Sequence, residues 1–292
     1  MNNEKIKKKI KIVLYLLPAI IPLLIFWVLP MLASLCISFT DWDYMSPDYN
    51  IVGFENYADL LKNAEFYKAF FNTFYFSAGV VVPTIFLGLM VALLLKEKLC
   101  GSGFYKAFIF SPWITPTVAV SIVWSWFFEP ENGLVNHLFE LLRLQPLEWA
   151  HSSKWAMLVV IIVTVWKGLG WTMIFYLRAL ERVPKTLYEA AKVDGASSFR
   201  QFWNVTLPLI SPTTFFLIVV NMINSIQAYD QIQILTQGGP AGSTRTLLYL
   251  YYQRAFENFD IGGATAISII ILMITMLLSI INLIMAKKWV YY

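Results

Sequence analysis

Long apolar stretches separated by short polar segments dominate the chain. Each stretch reaches about 20 residues, the length that an α-helix needs to cross the hydrocarbon core of a bilayer. Six such stretches lie near residues 12–39, 70–95, 104–128, 155–177, 209–229 and 264–286. The pattern predicts an all-α integral membrane protein with six transmembrane helices.

This spacing also predicts how the chain is divided. The predicted segments are a basic N-terminus at 1–11, a first transmembrane helix at 12–39, an outer loop at 40–69, a transmembrane domain with five helices at 70–286 and a tail at 287–292. The first stretch is long, is broken by Pro18, Pro22 and Pro30, and has no small-residue cleavage site near its end. It therefore reads as a retained helix, not as a secretion signal.

Composition supports the membrane prediction. The 292 residues are 58% hydrophobic and only 14% charged, which is too apolar for an ordinary soluble domain. Trp and Tyr gather near the predicted helix ends, where an interfacial aromatic belt is expected. The pI near 8.9 does not indicate nucleic-acid binding, because no basic stripe alternates with aromatics on a polar domain.

The distribution of Lys and Arg predicts the orientation, because cytoplasmic loops retain these residues. With both termini inside, fifteen of the 22 Lys and Arg lie on the cytoplasmic side and six on the outer side, and Lys167 lies within a helix. The polar loop at 184–207 is therefore predicted to face the cytoplasm.

Within this loop, local signals predict a helix, a sharp turn and a second helix. Thr186 with Glu189, and Ser198 with Gln201, have the spacing of a capping box at a helix start. Gly195 suits the left-handed stop of the first helix. Pro208 follows in the predicted first turn of the next apolar helix, where its missing amide is tolerated.

The same loop resembles the EAA loop of the membrane subunits of binding-protein-dependent ABC importers. That pattern is Glu-Ala-Ala, three residues, Gly, nine residues and Ile-x-Leu-Pro, and only Val205 departs from it. The residues that the resemblance assigns to coupling are Glu189, Ala190, Ala191, Asp194, Gly195, Leu207 and Pro208, of which Asp194 lies in the three-residue spacer. The resemblance implies a type I importer permease fold, in which the loop forms a coupling helix that sits in a cleft of the ATPase subunit. Two short capped helices in an ordinary loop are the alternative.

A second segment resembles the carbohydrate-importing branch of that family. Leu235 and Thr236 precede Gly238, Gly239 and Pro240, as in the Leu-Thr-x-Gly-Gly-Pro signature that lies near the docked binding protein. The chain resembles the subunit type related to the larger pore protein of the maltose importer, in a short six-helix form. Residues 53–57, Gly-Phe-Glu-Asn-Tyr in the first outer loop, add to this resemblance.

The resemblance implies the partners and the location. It implies a bacterial inner membrane and a second homologous permease, two ATPase subunits, a sugar-binding protein and membrane lipid as partners. ATP and Mg²⁺ are then used by the ATPase, and this chain binds no cofactor and is not catalytic. The sequence has no Gly-x-x-x-x-Gly-Lys-Ser/Thr loop to hold phosphates.

Polar residues in the fifth apolar stretch are candidates for a solute path. Asn221, Asn224, Ser225 and Gln231 fall on one helical face, with Gln227 at its edge and Asp230 roughly opposite. Amides with few charges suit a neutral, hydroxyl-rich solute, because an amide both donates and accepts hydrogen bonds. Hydrogen bonds between helices of the bundle are the alternative role.

Lys167 is a further candidate, because it lies about 18 Å along its helix from Trp155, near the middle of the membrane. Trp166 and Trp171 beside it offer aromatic faces for a sugar ring, and Gly168 and Gly170 allow close backbone approach. Alternatively, Lys167 pairs with a carboxylate or a carbonyl in the subunit interface, and the glycines serve packing alone.

Two other functional classes agree less well with the sequence. An ion- or proton-coupled secondary transporter would use Lys167 and Asp230 as coupling charges, but no convincing inverted repeat is found. An intramembrane enzyme would need a nucleophile or a metal constellation. His137 and His151 lack a partner at metal-ligand spacing, and Cys36 and Cys100 are predicted on opposite sides of the membrane, so the sequence predicts no metal site.

Overall fold

The computed structural model describes residues 2–96 and 101–289, with the side chains of 11–96 and 101–287. Within these ranges the chain is helical, and its one β-type pairing is an isolated bridge between Thr40 and Ile51. Cys100, predicted in a cytoplasmic loop, lies outside the described residues.

Fourteen α-helices follow one another in the described part of the chain. They are α1 (Asn2–Leu23), α2 (Leu29–Ile37), α3 (Glu55–Lys62), α4 (Ala64–Leu95), α5 (Ser102–Ile114), α6 (Thr117–Phe127), α7 (Leu134–Leu141), α8 (Ala156–Arg182), α9 (Lys185–Val193), α10 (Ser198–Gln201), α11 (Leu207–Ile226), α12 (Asp230–Leu235), α13 (Leu247–Tyr252) and α14 (Ile261–Trp289). Three π-helical turns adjoin them at Leu24–Val28, Phe202–Thr206 and Gln253–Glu257, and a short 3₁₀ turn occupies Trp149–His151.

The described helices match the predicted six spans in number once a bent pair is counted as one. Five helical segments are long and apolar enough to cross a bilayer: Lys11–Ile37, Ala64–Leu95, Ala156–Arg182, Ser198–Ile226 and Ile261–Lys287. The sixth span consists of α5 and α6, which meet at an angle of 99°. The expectation of one continuous helix over 104–128 was therefore wrong.

The bend between α5 and α6 has a local cause. Pro116 has no amide to donate to the preceding turn, and a proline disfavours helical geometry in the residue before it. Thr115 accordingly adopts extended backbone angles of φ −70° and ψ 136°. The amide of Thr115 still donates to the Ser111 carbonyl at 3.3 Å, but the regular pattern ends there. The last carbonyls of α5 therefore need donors from elsewhere.

The chain divides into two units, of which the first comprises the chain up to Asn63 with Tyr251–Ile270. In this unit the Asn56 side-chain amide donates to the carbonyls of Ser38 (2.9 Å) and Thr40 (2.8 Å), just past the end of α2. The Tyr57 and Ser38 hydroxyls are 2.7 Å apart. The carbonyl of Trp42 accepts hydrogen bonds at the start of α14. The Gly-Phe-Glu-Asn-Tyr segment thus supplies hydrogen-bond partners for backbone and side-chain groups at the end of the first span.

The second unit, Ala64–Leu250 with Ile271–Tyr292, is built around α8. This helix packs against α4 and α5, while α11 packs against α4 and α12 against α6. Two apolar clusters line the length of α8. One includes Phe76, Val160 and Tyr249, and the other includes Met173, Tyr176 and Leu217.

Close packing of α8 on α5 depends on Gly170. A Cβ atom on this residue would lie 2.2 Å from the Ile109 carbonyl oxygen and 2.7 Å from the Phe110 Cα, both of which are backbone atoms of α5. A Cβ on Gly168, two residues earlier, would meet only the Thr84 methyl group at 3.5 Å, which is an ordinary contact. The predicted close approach is thus confirmed for Gly170.

This difference between two glycines of one helix is testable. We expect Gly170→Ala to destabilise the protein by about 1–3 kcal/mol, because backbone atoms of α5 must move to admit the methyl group. Gly168→Ala is the matched control and should stay close to wild type. Thermal unfolding of the detergent-solubilised protein measures both, and equal midpoints for the two variants would contradict the packing described above.

Candidate functional site

A cavity of about 310 Å³ lies in the second unit, between the middle parts of α4, α6, α8 and α11. We call it the polar cavity. Fourteen residues line it: Val80, Thr84, Trp113, Thr117, Val120, Ser121, Val163, Thr164, Lys167, Gly168, Asn221, Asn224, Ser225 and Gln231. Hydroxyl and amide groups are frequent among them, and Lys167 is the one charged residue of this lining.

Lys167 is half-buried in the cavity wall and reaches the broken end of α5. Its Nζ donates to the Trp113 carbonyl at 3.2 Å and lies 5.4 Å from the centre of the Trp113 ring. This carbonyl is one of those that the bend at Pro116 deprives of a helical partner. A cation at a helix C-terminus also interacts favourably with the helix dipole. A carbonyl partner was predicted for Lys167 in a subunit interface, whereas the partner observed, Trp113, belongs to the same chain. Lys167 also faces the cavity.

The hydrogen-bonding groups of the cavity are only partly used. The Asn221 amide donates to the Leu217 carbonyl at 2.8 Å, one turn earlier on its own helix, whereas Asn224 is exposed. The hydroxyls of Thr84 and Ser121, both residues 0% exposed, have no hydrogen-bond partner within the described part of the chain. Buried hydroxyls without a partner destabilise a structure, and at 0% exposure these two are out of reach of a solute in the cavity. The accessible polar groups of the lining are those of Lys167, Asn224 and Gln231.

The structure separates the predicted path residues into two groups. Lys167, Asn221, Asn224, Ser225 and Gln231 all line the polar cavity. The other candidates, Trp166, Trp171, Gln227 and Asp230, are not among its lining residues. Whether any of these residues contacts a solute stays a prediction.

Gln231 lines the cavity from a different helix than the one predicted. The helix carrying Asn221 ends at Ile226, and both Asp230 and Gln231 belong to the separate helix α12. The expected single stripe through Gln231 was therefore wrong about the element, because Gln227 and Ala228 do not continue the helix.

The two tryptophans beside Lys167 have other neighbours. Trp171 stacks on Trp113 with ring centres 5.1 Å apart and packs against the second apolar cluster. Trp166 contacts Trp124 edge to face and borders a separate apolar groove.

The loop that carries the Glu-Ala-Ala pattern forms the predicted helix, turn and helix. Helix α9 ends at Val193, and Gly195 has φ +75°, the left-handed stop expected of it. The predicted caps were displaced by one or two residues. Pro184 is the N-cap of α9 in place of Thr186, and Ser197, not Ser198, caps α10 by accepting from the Arg200 amide at 3.4 Å.

The shifted caps follow from backbone geometry. Proline fixes φ near −65°, and Pro184 already has the extended angles of a cap, so α9 begins at Lys185. The Gln201 side chain donates to the Ala196 carbonyl at 2.8 Å, and this hydrogen bond connects α10 to the turn that follows α9. Pro208 lies in the first turn of α11, as predicted. The π turn at Phe202–Thr206 joins α11 to α10, so that the two helices belong to one continuous span.

The surface of this segment is polar with exposed apolar side chains. Val193 is 88% exposed, Phe199 73% and Leu187 42%. Glu189 and Ala190 are exposed as well. A Cβ atom added to Gly195 would meet no other atom within 4 Å, so the turn has open space on that side.

Tyr188 connects α9 to two transmembrane spans, a link that the sequence analysis missed. Its hydroxyl is 2.8 Å from the Thr206 hydroxyl at the base of α11, and the Lys96 Nζ near the end of α4 lies 4.7 Å from the Tyr188 ring centre. The ring also packs against the second apolar cluster. No motif marks Tyr188, because both partners are distant in sequence.

The Gly-Gly-Pro segment forms a loop that is held by α4. The Lys68 Nζ donates to the Ala241 carbonyl at 2.7 Å, and the Asn72 side-chain amide donates to the carbonyls of Gly242 and Arg245, each at 3.0 Å. Arg245 also pairs with Glu65 at 3.0 Å. Lys68 and Asn72 were not predicted as site residues, although together they fix the loop that contains Gly238, Gly239 and Pro240.

Comparison with known proteins identifies the family. Residues 84–291 match the family described as binding-protein-dependent transport system inner membrane component. The chain is 30% identical to the probable ABC transporter permease protein YurN of Bacillus subtilis (strain 168), over 92% of this chain and 94% of the relative. It is 32% identical to the sn-glycerol-3-phosphate transport system permease protein UgpA of Pectobacterium atrosepticum, over 94% of each chain.

Solved structures support the fold. A chain of a bacterial alginate ABC transporter, in complex with an alginate pentasaccharide-bound periplasmic protein, superposes with a TM-score of 0.84 at 23% identity, covering 98% of this chain and 96% of that one. The chain belongs to the family of inner membrane components of binding-protein-dependent transport systems. It is a multi-pass membrane protein with the type I permease fold, and the family predicted from the Glu-Ala-Ala loop is confirmed.

The polar cavity generates a prediction about water access. In a chain with Cys36 and Cys100 replaced by Ser, Asn224→Cys should react with small water-soluble thiol reagents, because Asn224 is exposed and lines the cavity. Ser211→Cys on the same helix is the control, because Ser211 is only 3% exposed and lies outside the lining. Equal labelling rates at the two positions would show that the cavity holds no accessible water.

Proposed function

We propose that this chain forms half of the transmembrane pathway of an ATP-driven importer for solutes of the sugar class. In this proposal it receives solute from a binding protein on the outer side and is driven by a separate ATPase through residues 184–207. The observation that carries the proposal is the exposed helix, left-handed turn and helix formed by that segment. Its Glu-Ala-Ala pattern lies beside large apolar side chains that are exposed to solvent.

The exposed side chains suit a docking role for α9. Leu187, Val193 and Phe199 would each leave water on contact with another protein, and burial of a large apolar side chain contributes about 1.5–3 kcal/mol. Ala190 and Ala191 add little bulk, so a partner backbone can approach the helix closely. An ordinary surface loop gains nothing from exposing three large apolar residues around one turn.

The link through Tyr188 supports transmission of movement. A partner that shifts α9 also pulls on the Thr206 hydroxyl, and Thr206 directly precedes α11, the helix that carries Asn221 and Asn224 to the polar cavity. Proteins respond to such shifts with discrete rearrangements, because packed helices are not continuously deformable. The connection thus joins the proposed ATPase contact to the proposed solute path in one span.

The remaining parts of the assembly are inferred from the family and from charge. We propose a second homologous permease, two ATPase subunits and a sugar-binding protein as partners, with 184–207 and both termini in the cytoplasm of a bacterium. The excess of Lys and Arg on that side supports the orientation. ATP and Mg²⁺ are assigned to the ATPase, and the permease itself is proposed to be non-catalytic and to bind no cofactor.

Two relatives support the solute class. The UgpA proteins are named for sn-glycerol-3-phosphate transport, and the structural neighbour imports alginate, so both handle hydroxyl-bearing solutes. The polar cavity supplies amide and hydroxyl groups that suit such a solute. The loop with Gly238, Gly239 and Pro240 is proposed to lie beside the docked binding protein.

The coupling role can be tested with two glycines of the same conformation. Gly195 has φ +75° and Gly53 has φ +62°, and a Cβ on either would meet nothing within 4 Å. Gly195→Asp should abolish ATP-dependent uptake and reduce recovery of the ATPase with the tagged permease, because it adds bulk and charge to the proposed contact. Gly53→Asp introduces similar backbone strain in the predicted outer loop and should retain the ATPase.

Both variants must first be shown to reach the membrane at wild-type levels. Normal uptake and ATPase recovery with Gly195→Asp would remove the coupling proposal. Uptake by the wild-type chain without any associated ATPase would indicate a secondary transporter instead.

The link between Tyr188 and Thr206 predicts a different defect. Tyr188→Phe and Thr206→Val each remove the same hydrogen bond, which contributes about 0.5–1.5 kcal/mol. Each should keep the ATPase bound but lower the number of solute molecules imported per ATP hydrolysed, and the double variant should be no worse than the more severe single one. Fully additive losses would mean that the two hydroxyls act independently.

A further inference from the structure

We infer that the polar cavity selects a solute that carries an anionic group, a carboxylate or a phosphate, on a hydroxyl-rich skeleton, and that Lys167 is the residue that recognises it. This inference rests on the proposed function, because it names the charge of the solute for the same path. It departs from the neutral solute that the amides of α11 alone suggest.

The charge of the lining is the first argument. Among its fourteen residues Lys167 carries a positive charge, and the lining contains no Asp or Glu. Placing a cation at membrane depth is energetically unfavourable, so such residues are rare there. Those that occur commonly mark a solute path. A positively charged site attracts anions and repels cations. Both effects are stronger inside a protein than in bulk water, because the effective dielectric constant is lower there.

Capping α5 does not use all the hydrogen-bonding capacity of Lys167. An ammonium group has three N–H donors, and in the described part of the chain one of them serves the Trp113 carbonyl at 3.2 Å. A neutral side chain such as Gln also has a donor for that carbonyl. The charge itself is therefore more than the broken helix end requires.

Asp230 is the acidic candidate of the sequence analysis, and it forms no ion pair with Lys167. The two side chains are not within 4.0 Å of each other, and Asp230 is not among the residues that line the cavity. It lies in the first turn of α12, where a carboxylate is stabilised by the helix N-terminus. Lys167 thus stays available to an anion that enters the cavity.

The amide groups of the cavity complete the recognition chemistry. Asn224 is exposed, Gln231 is partly exposed, and both line the cavity. An amide both donates and accepts hydrogen bonds, which suits the hydroxyl groups of a solute. A solute can thus place its anionic oxygen on the Lys167 ammonium and its hydroxyls on these two amides.

The charge of the cavity can be measured before the solute is known. In the assembled importer with Cys36 and Cys100 replaced by Ser, Asn224→Cys is labelled with anionic sulfonatoethyl or cationic trimethylammonioethyl methanethiosulfonate. We expect the anionic reagent to be favoured relative to the intrinsic rates of both reagents with a free thiol. Lys167→Gln should shift the ratio about tenfold towards the cationic reagent, while Lys167→Arg retains it. Lys154→Gln, which removes an exposed charge outside the cavity, should leave it unchanged.

Uptake then distinguishes this inference from the proposed function. Cells with the whole importer are offered hexose and maltose as neutral solutes, and hexuronate, hexose phosphate and glycerol phosphate as anionic ones. ATP-dependent uptake of anionic solutes that falls about ten- to a hundred-fold in Lys167→Gln, with Lys167→Arg active, supports the inference.

The contrary outcomes are separate. A labelling ratio that Lys167→Gln leaves unchanged, or uptake confined to neutral solutes and unaffected by Lys167→Gln, would overturn the anion selectivity and leave the importer intact. An unreactive Cys at position 224 in every nucleotide state would overturn both the cavity as a path and the selectivity. Failure to take up any of the five solutes, with no associated ATPase, would count against the proposed function itself.

Discussion

Every backbone carbonyl at membrane depth must find a hydrogen-bond donor inside the protein, because the hydrocarbon supplies none. The rest of the second unit depends on how this requirement is met at the break between α5 and α6. Pro116 ends the regular pattern, Trp113 is left with a carbonyl to satisfy, and the Lys167 ammonium satisfies it. Without such a donor the 99° bend would leave the Trp113 carbonyl without a hydrogen-bond partner in the protein.

That solution joins structure and chemistry at one residue. Lys167 can reach the break because Gly170 brings the backbones of α8 and α5 together. Trp113 and Trp171 stack across the same contact. The bend therefore borders the polar cavity and supplies the reason for a hydrogen-bond donor in its wall. Fold and candidate solute recognition are two results of the same local break.

The sequence predicted those features that depend on neighbouring residues. Hydropathy gave the spans, and helical periodicity placed Asn221, Asn224 and Ser225 towards one cavity. Sequence patterns did not predict the contacts between residues that are distant in the chain. The carbonyl that Lys167 caps lies 54 residues earlier in the chain, and Tyr188 and Thr206 meet only after α9 folds back on the bundle. The capping-box spacing at Thr186 was overridden by Pro184, whose fixed φ starts the helix earlier.

The π turn at Phe202–Thr206 has a consequence for how the span from Ser198 to Ile226 is oriented. A π turn contains one residue more than an α-helical turn closed by the same hydrogen-bond ladder, and each residue of an α-helix advances the direction of the side chains by about 100°. The residues before the turn and those after it therefore follow two helical wheels that are out of phase. A helical wheel drawn from Ser198 at a constant 100° per residue would therefore misplace the directions of Asn221 and Asn224. The extra residue acts as a fixed angular offset between the cytoplasmic end of the span and its cavity-facing stripe.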